Sequence, residues 1–178
     1  MIRFIHIKKN GGTSVYKFLR KRGIEVLCGQ GTNMTKVYNQ HRTAYHYKNE
    51  DTVKFCVCRN PYTRIISFYN WTKRMPQYKW SFEEFVKIGF NSGRAIGAWN
   101  LQLEYILDID NNCLVDKILR FETLEEDVKN YFNIDGQFPH LTKSTYDSYE
   151  NYYTEELKEL VYKRLKKDFK YFNYSKGF

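Results

Sequence analysis

The first stretch of the chain, residues 2–19, limits the possible folds more than any other. Ile2, Phe4, Ile5 and Ile7 make a short apolar run that reads as a buried strand. Val15, Phe18 and Leu19 fit one face of a helix. Between them lies Lys8-Lys9-Asn10-Gly11-Gly12-Thr13-Ser14, with paired lysines, paired glycines and two hydroxyls. A strand, a glycine loop and a helix in that order aim backbone N–H groups and a helix N-terminus at an anion. The expectation is a phosphate at this loop with Lys9 beside it.

The rest of the chain repeats the alternation. A second strand is expected over 24–28, and 29–49 reads as polar loop with a short helix. The clearest strand is 53–58, Val-Lys-Phe-Cys-Val-Cys, which stops at Arg59-Asn60-Pro61. Pro61 suits the first turn of a helix, where its missing N–H costs nothing. That helix covers 62–73, with Ile65, Ile66, Phe68 and Tyr69 inward. Ser81-Phe82-Glu83-Glu84 has capping-box form and opens a helix burying Phe82, Phe85 and Val86. A helix is expected over 98–107 and a strand over 115–120. Thr123-Leu124-Glu125-Glu126 is a second capping box, with Leu124, Val128 and Tyr131 inward. The last helix runs over about 155–169, burying Leu157, Leu160, Val161, Leu165 and Phe169. Strands alternating with helices mean an α/β fold with a mainly parallel sheet. In such sheets ligands bind beyond the carboxyl ends of strands, where both Lys9 and Arg59 fall.

With 178 residues, one domain is the natural expectation. The 16 Tyr and 13 Phe must supply much of the core. A formal charge of +9 favours polyanionic partners: nucleic acid, anionic lipid, nucleotide phosphates or acidic glycans. Cys28, Cys56, Cys58 and Cys113 lack zinc spacing and read as reduced residues, with Cys56 and Cys58 on one strand face. The chain starts directly into a strand, shows no signal-peptide pattern, and has no apolar run of the roughly 20 residues that a membrane span needs. The expectation is a soluble, cytoplasmic protein.

The first loop is not a Walker A sequence, in which lysine follows the glycines. The second loop adds to it. Arg59 follows a strand and opens a proline-led helix, with Ser67 about two turns along. An arginine fork and a serine hydroxyl can hold one phosphate together. The two loops suggest a ligand with two separate phosphate groups.

These residues carry a family resemblance. His6-Ile7-Lys8-Lys9-Asn10-Gly11-Gly12-Thr13-Ser14 resembles the 5′-phosphosulfate loop of sulfotransferases that use 3′-phosphoadenosine-5′-phosphosulfate (PAPS), usually His-Ile-Pro-Lys-Thr-Gly/Ala-Gly-Thr-Ser. Cys58-Arg59-Asn60-Pro61-Tyr62-Thr63-Arg64-Ile65-Ile66-Ser67-Phe68-Tyr69 is similar to their 3′-phosphate motif. Gln40-His41-Arg42-Thr43-Ala44, Leu119-Arg120-Phe121-Glu122-Thr123-Leu124, Pro139-His140-Leu141-Thr142-Lys143-Ser144 and 168–174 resemble further segments in the family's order. The likeness covers nearly the whole chain and points to the carbohydrate-type branch. Lys8 stands where the family has proline, Asn10 where it has threonine, and Thr63 where it has aspartate.

The resemblance implies one P-loop-like, three-layer sulfotransferase domain over 1–178. It would move a sulfuryl group from PAPS to an acceptor hydroxyl or amine, with adenosine 3′,5′-bisphosphate (PAP) leaving and no metal. Lys9, Asn10, Gly11, Gly12, Thr13 and Ser14 would bind the 5′ end, and Arg59 and Ser67 the 3′-phosphate. Lys143 and Ser144 would add nucleotide contacts. Lys9 would neutralise charge on the leaving phosphate. His41 is the candidate base, with His46 and Glu50 as alternatives. The acceptor is expected to be a glycan or another hydroxyl-bearing molecule, reached through loops in 29–50, 74–80 and 90–100. Tyr78, Trp80 and Trp99 would either stack on sugar rings or pack the core. A nucleotide kinase would need lysine after the glycines and a magnesium-binding carboxylate, and neither pattern is present. A nucleic-acid-binding module stays open on charge and tyrosine content, and a sulfotransferase fold used only for binding stays open on the loop departures.

Overall fold

The computed structural model describes residues 1–29, 41–92, 97–139 and 149–177. His140, Lys143 and Ser144 lie outside the described residues. In chain order the elements are β1 (Ile2–Ile5), α1 (Gly12–Lys21), β2 (Val26–Cys28), β3 (Val53–Cys58), α2 (Pro61–Thr72), α3 (Phe82–Ser92), β4 (Lys117–Arg120), α4 (Leu124–Phe132) and α5 (Glu155–Tyr171). Short 3₁₀ turns lie at Ala44–Tyr47, Leu103–Tyr105 and Tyr149–Tyr152. The chain divides into two compact units: Met1–Arg59 with Gln102–Thr142, and Asn60–Leu101 with Lys143–Phe178.

The first unit is built on an all-parallel sheet in the order β2-β1-β3-β4. The expected α/β fold with a parallel sheet is what forms. Phe4 of β1 lies opposite both Cys28 and Phe55, and its ring stacks on Phe55 at 4.8 Å. Val15, Phe18 and Leu19 of α1 and Leu124 and Val128 of α4 are buried in the same cluster. Parallel strands bury both faces, which is why they read as continuous apolar runs. From β1 the chain passes through α1 to β2 on one side, and from β3 it returns to β4 on the other. The adjacent ends of β1 and β3 are therefore a topological switch point, where open α/β sheets bind ligands.

The second unit is helical. Ile65, Ile66, Phe68 and Tyr69 of α2 share a core with Phe82, Phe85 and Val86 of α3 and with Leu157, Val161, Leu165 and Phe169 of α5. The Ser81 capping box forms: the Ser81 N–H donates to Glu84 Oε2 at 2.7 Å, and the Glu84 N–H donates to Ser81 Oγ at 3.2 Å. Trp99 is buried in this core. Trp80 packs partly buried against it, its ring 5.0 Å from that of Tyr78.

Two local expectations are corrected. Residues 98–107 do not make one helix, because the buried guanidinium of Arg64 takes the carbonyls of Ala98 and Asn100, at 3.5 and 3.1 Å. A continuous helix would need those acceptors for its own ladder. The Thr123 capping box also fails. The Thr123 hydroxyl donates to Asp127 Oδ1 at 2.9 Å, and Asp127 Oδ2 accepts the Arg120 N–H at 2.7 Å. A carboxylate at 127, and not Glu126, ties the start of α4 to the end of β4. None of the four cysteines forms a disulfide, and Cys28, Cys56 and Cys58 are buried. No helix among the described residues is long and apolar enough to cross a membrane.

Candidate active site

The site is assembled in the first unit from the exits of β1 and β3. After β1 the backbone turns left-handed twice, at Lys9 (φ 67°) and at Gly11 (φ 75°). Gly11 is the N-cap of α1 and brings no capping side chain. Its position is fixed by conformation and by space, since a Cβ there would lie 2.7 Å from Leu124 Cδ2. Gly12 is fixed by space alone. A Cβ there would lie 2.1 Å from His6 Cδ2, so the His6 ring fills the volume beneath the loop. The Ser14 and Val15 N–H groups donate to Gly11 O, at 3.0 and 3.2 Å. Helix geometry leaves the N–H groups of Gly12 and Thr13 without an intrahelical acceptor. At the positive end of α1 they form a ready anion site.

Lys9 is a non-glycine residue held at positive φ, a conformation that costs on the order of 1 kcal/mol. Its carbonyl accepts from Arg59 Nη1 at 2.9 Å. Arg59 is 4% exposed, and its guanidinium carbon lies over the Phe121 ring, 3.9 Å from the centroid. Phe121 is held by its own N–H, which donates to Cys58 O at 2.8 Å. Arg59 therefore sits between the end of β4 and the Lys9 loop. Ser67 is a buried residue of α2 and belongs to the second unit.

The side chain of Asn10 points inward, 1% exposed. Its Nδ2 donates to Val57 O at 2.6 Å and to Gln102 Oε1 at 2.7 Å. Its amide hydrogens are thus used inside the protein, and what Asn10 can offer an anion is its backbone N–H. Thr63 also acts locally, its hydroxyl donating to Asn60 O at 3.2 Å.

His41 is half-buried, with Nδ1 2.8 Å from the carbonyl oxygen of His6. A carbonyl can only accept, so Nδ1 carries the proton and Nε2 keeps its lone pair. Burial is the main cause that lowers the His41 pKa below 6.5; the His6 hydrogen bond opposes it, and the nearby Lys8 ammonium adds to it. His6, its ring 4.5 Å from that of His41, is pulled down to about 3 by burial and stays neutral. Of the alternative bases, Glu50 is committed to Arg3, accepting Nε at 2.6 Å and Nη2 at 3.0 Å. His46 is exposed, its Nδ1 2.9 Å from the Thr43 hydroxyl. Arg3 also donates to Gly29 O at 2.8 Å and lies over the Tyr47 ring at 3.9 Å, anchoring the segment that follows His41.

Sequence reading missed Gln102 and the packing role of His6. The one available signal for Gln102 was a lone amide among the apolar residues Leu101 and Leu103. For His6 it was a histidine inside a strand run, one turn of chain before two glycines.

The sequence model of the Sulfotransferase family matches residues 2–175. No curated protein and no solved structure matches the chain. A parallel sheet, a glycine-lined helix N-terminus behind Lys9, an arginine at the next strand exit and a match across nearly all of the sequence lead to one conclusion: the chain belongs to the sulfotransferase family, whose members are PAPS-dependent transferases.

Proposed function

We propose that residues 1–178 act as one catalytic domain that moves a sulfuryl group from PAPS to a hydroxyl of a glycan acceptor. The loop at 9–14 would receive the 5′-phosphosulfate. Its donors are the backbone N–H groups at the start of α1, together with the Thr13 and Ser14 hydroxyls that the family motif contributes. Arg59, joined by Ser67 through the family resemblance, would take the 3′-phosphate. Lys143 and Ser144 would add nucleotide contacts on the same basis. The observation that carries the catalytic reading is the His41 Nδ1–H bond to His6 O, which leaves Nε2 as a neutral acceptor.

In the step itself the acceptor oxygen attacks sulfur as its proton passes to His41 Nε2. The bond from sulfur to the bridging oxygen breaks, and the electron pair stays on the 5′-phosphate of PAP. Lys9 meets the charge that develops on that oxygen. PAPS brings the activated sulfuryl group. The residues of the chain orient it, compensate charge and take the proton. The +9 charge supports an acidic glycan as acceptor, and sulfuryl transfer of this kind needs no metal. Cysteines that form no disulfide fit a reducing compartment such as the cytoplasm.

Thermal denaturation with PAP and with ADP tests the nucleotide. PAP is expected to raise the melting temperature more than ADP, and no rise at millimolar PAP would end the reading. A labelled-donor screen of glycans, lipids and small alcohols tests the acceptor. For the base, the rate should fall with decreasing pH only below 6.5, because the His41 pKa lies below that value. His41→Ala should remove that acid limb together with most of the rate. An unchanged pH profile would assign the base elsewhere.

A further inference from the structure

Gln102 is fully buried, and its amide is placed at the crossing of the two strand exits. Oε1 accepts from Asn10 Nδ2 at 2.7 Å and from the Arg59 N–H at 3.0 Å, while Nε2 donates to Arg59 O at 2.8 Å. The side chain pairs with the Arg59 backbone as a neighbouring strand would. Its second acceptor site reaches the Lys9 loop. Asn10 Nδ2 extends the connection to Val57 O at 2.6 Å. Arg59 completes a ring by donating Nη1–H to Lys9 O at 2.9 Å. The ring runs Lys9, Asn10, Gln102, Arg59 and back to Lys9.

From this ring we infer that Gln102 is a positioning residue that fixes the Lys9 loop against Arg59, with Asn10 as the strut between them. It sets the separation between the anion-facing start of α1 and the guanidinium beyond β3, and touches no substrate itself. Only an amide meets the chemistry. It accepts twice on oxygen and donates on nitrogen, whereas a carboxylate would face the Arg59 carbonyl and a thioether would make none of the three bonds. The Asn10 departure fits the same requirement. A threonine hydroxyl has one hydrogen and cannot serve both Val57 O and Gln102 Oε1. Asn10 and Gln102 therefore work as a pair. The consequence for nucleotide binding rests on the PAPS reading, but the ring does not.

Two measurements on Gln102→Met, which keeps side-chain length, test the inference. In ligand-free protein, hydrogen exchange should speed up about tenfold at both 9–14 and 59–60, with β1 and β3 still protected. PAP affinity by calorimetry should fall about tenfold, yet by no more than about twofold when Arg59→Ala is already present, because residues in one network are not additive. Asn10→Thr keeps one of the two donor bonds of the strut, so its effects should be intermediate. It replaces the methionine variant if that one does not fold. Faster exchange at only one of the two loops, or affinity losses that multiply in full, would overturn the inference. If the wild-type chain does not bind PAP, the nucleotide reading fails and the exchange pattern alone decides on the ring.

Discussion

The exits of β1 and β3 both turn from a strand into a helix, yet they present opposite chemistry. At the β1 exit the backbone is left-handed at Lys9 and Gly11, the N-cap has no side chain, and the first amides of α1 keep their donor capacity. At the β3 exit Asn60 Oδ1 already accepts the Tyr62 N–H at 2.9 Å, and Pro61 has no N–H to give. Two of the first backbone positions of α2 are thus not offered to an anion, and what this exit adds is the Arg59 side chain. Under the proposed function, one exit would work with amides that can approach an anion closely. The other would work with a permanent cation suited to an unreacting phosphate. On the proposed assignment this difference would suit the two ends of PAPS, of which only the 5′ end reacts.

Substitutions at each exit sharpen this contrast. The largest effect is expected from Lys9→Ala. Turnover should drop by about a thousandfold in steady-state assays, while PAP affinity changes far less, as for a group acting on developing charge. Equal losses in rate and affinity would make Lys9 a plain anchor. Arg59→Ala should do the reverse, weakening PAP about a hundredfold by calorimetry and lowering the rate at saturating donor by less than tenfold. At the level of the fold, Gly12→Ala drives a methyl group into the His6 ring and should cost about 1–3 kcal/mol by denaturant melts, with activity lost alongside. Asn60→Ala, at the other exit, removes only a cap. It should cost about 1 kcal/mol and leave PAP affinity within twofold, since the lost bond is an internal helix cap. The smallest effect concerns Lys8, whose charge contributes to lowering the His41 pKa. Lys8→Pro should move the acid limb of the pH–rate profile upward; a downward shift would contradict the sign of that interaction.

Much of this was legible in the chain itself. Alternating apolar runs and helix stripes gave the parallel α/β arrangement, because burial on both sheet faces leaves a continuous apolar signature. Pro61 and the Ser81 capping box marked helix starts correctly, since caps are short-range devices formed by residues three positions apart. The same logic placed the α4 start at Thr123 but failed on its bonds, where Asp127 took the hydroxyl and the Arg120 amide together. It failed again over 98–107, where Arg64 claims carbonyls from another stretch of chain. Local pattern cannot report a competitor such as Arg64, which arrives through folding.

The sequence by itself determined the kinds of groups at the site: a lysine before two glycines, an arginine after a strand, and a histidine in a polar segment. Their types and order follow from local chemistry and carry the family resemblance. Only the tertiary structure decided what each group does with its bonds. It turned the Asn10 amide inward, filled the space under Gly12 with the His6 ring, set the His41 proton on Nδ1, and placed Gln102 between two loops distant in sequence. Those outcomes depend on which partners are within about 3 Å after folding, a distance that residue spacing along the chain does not encode.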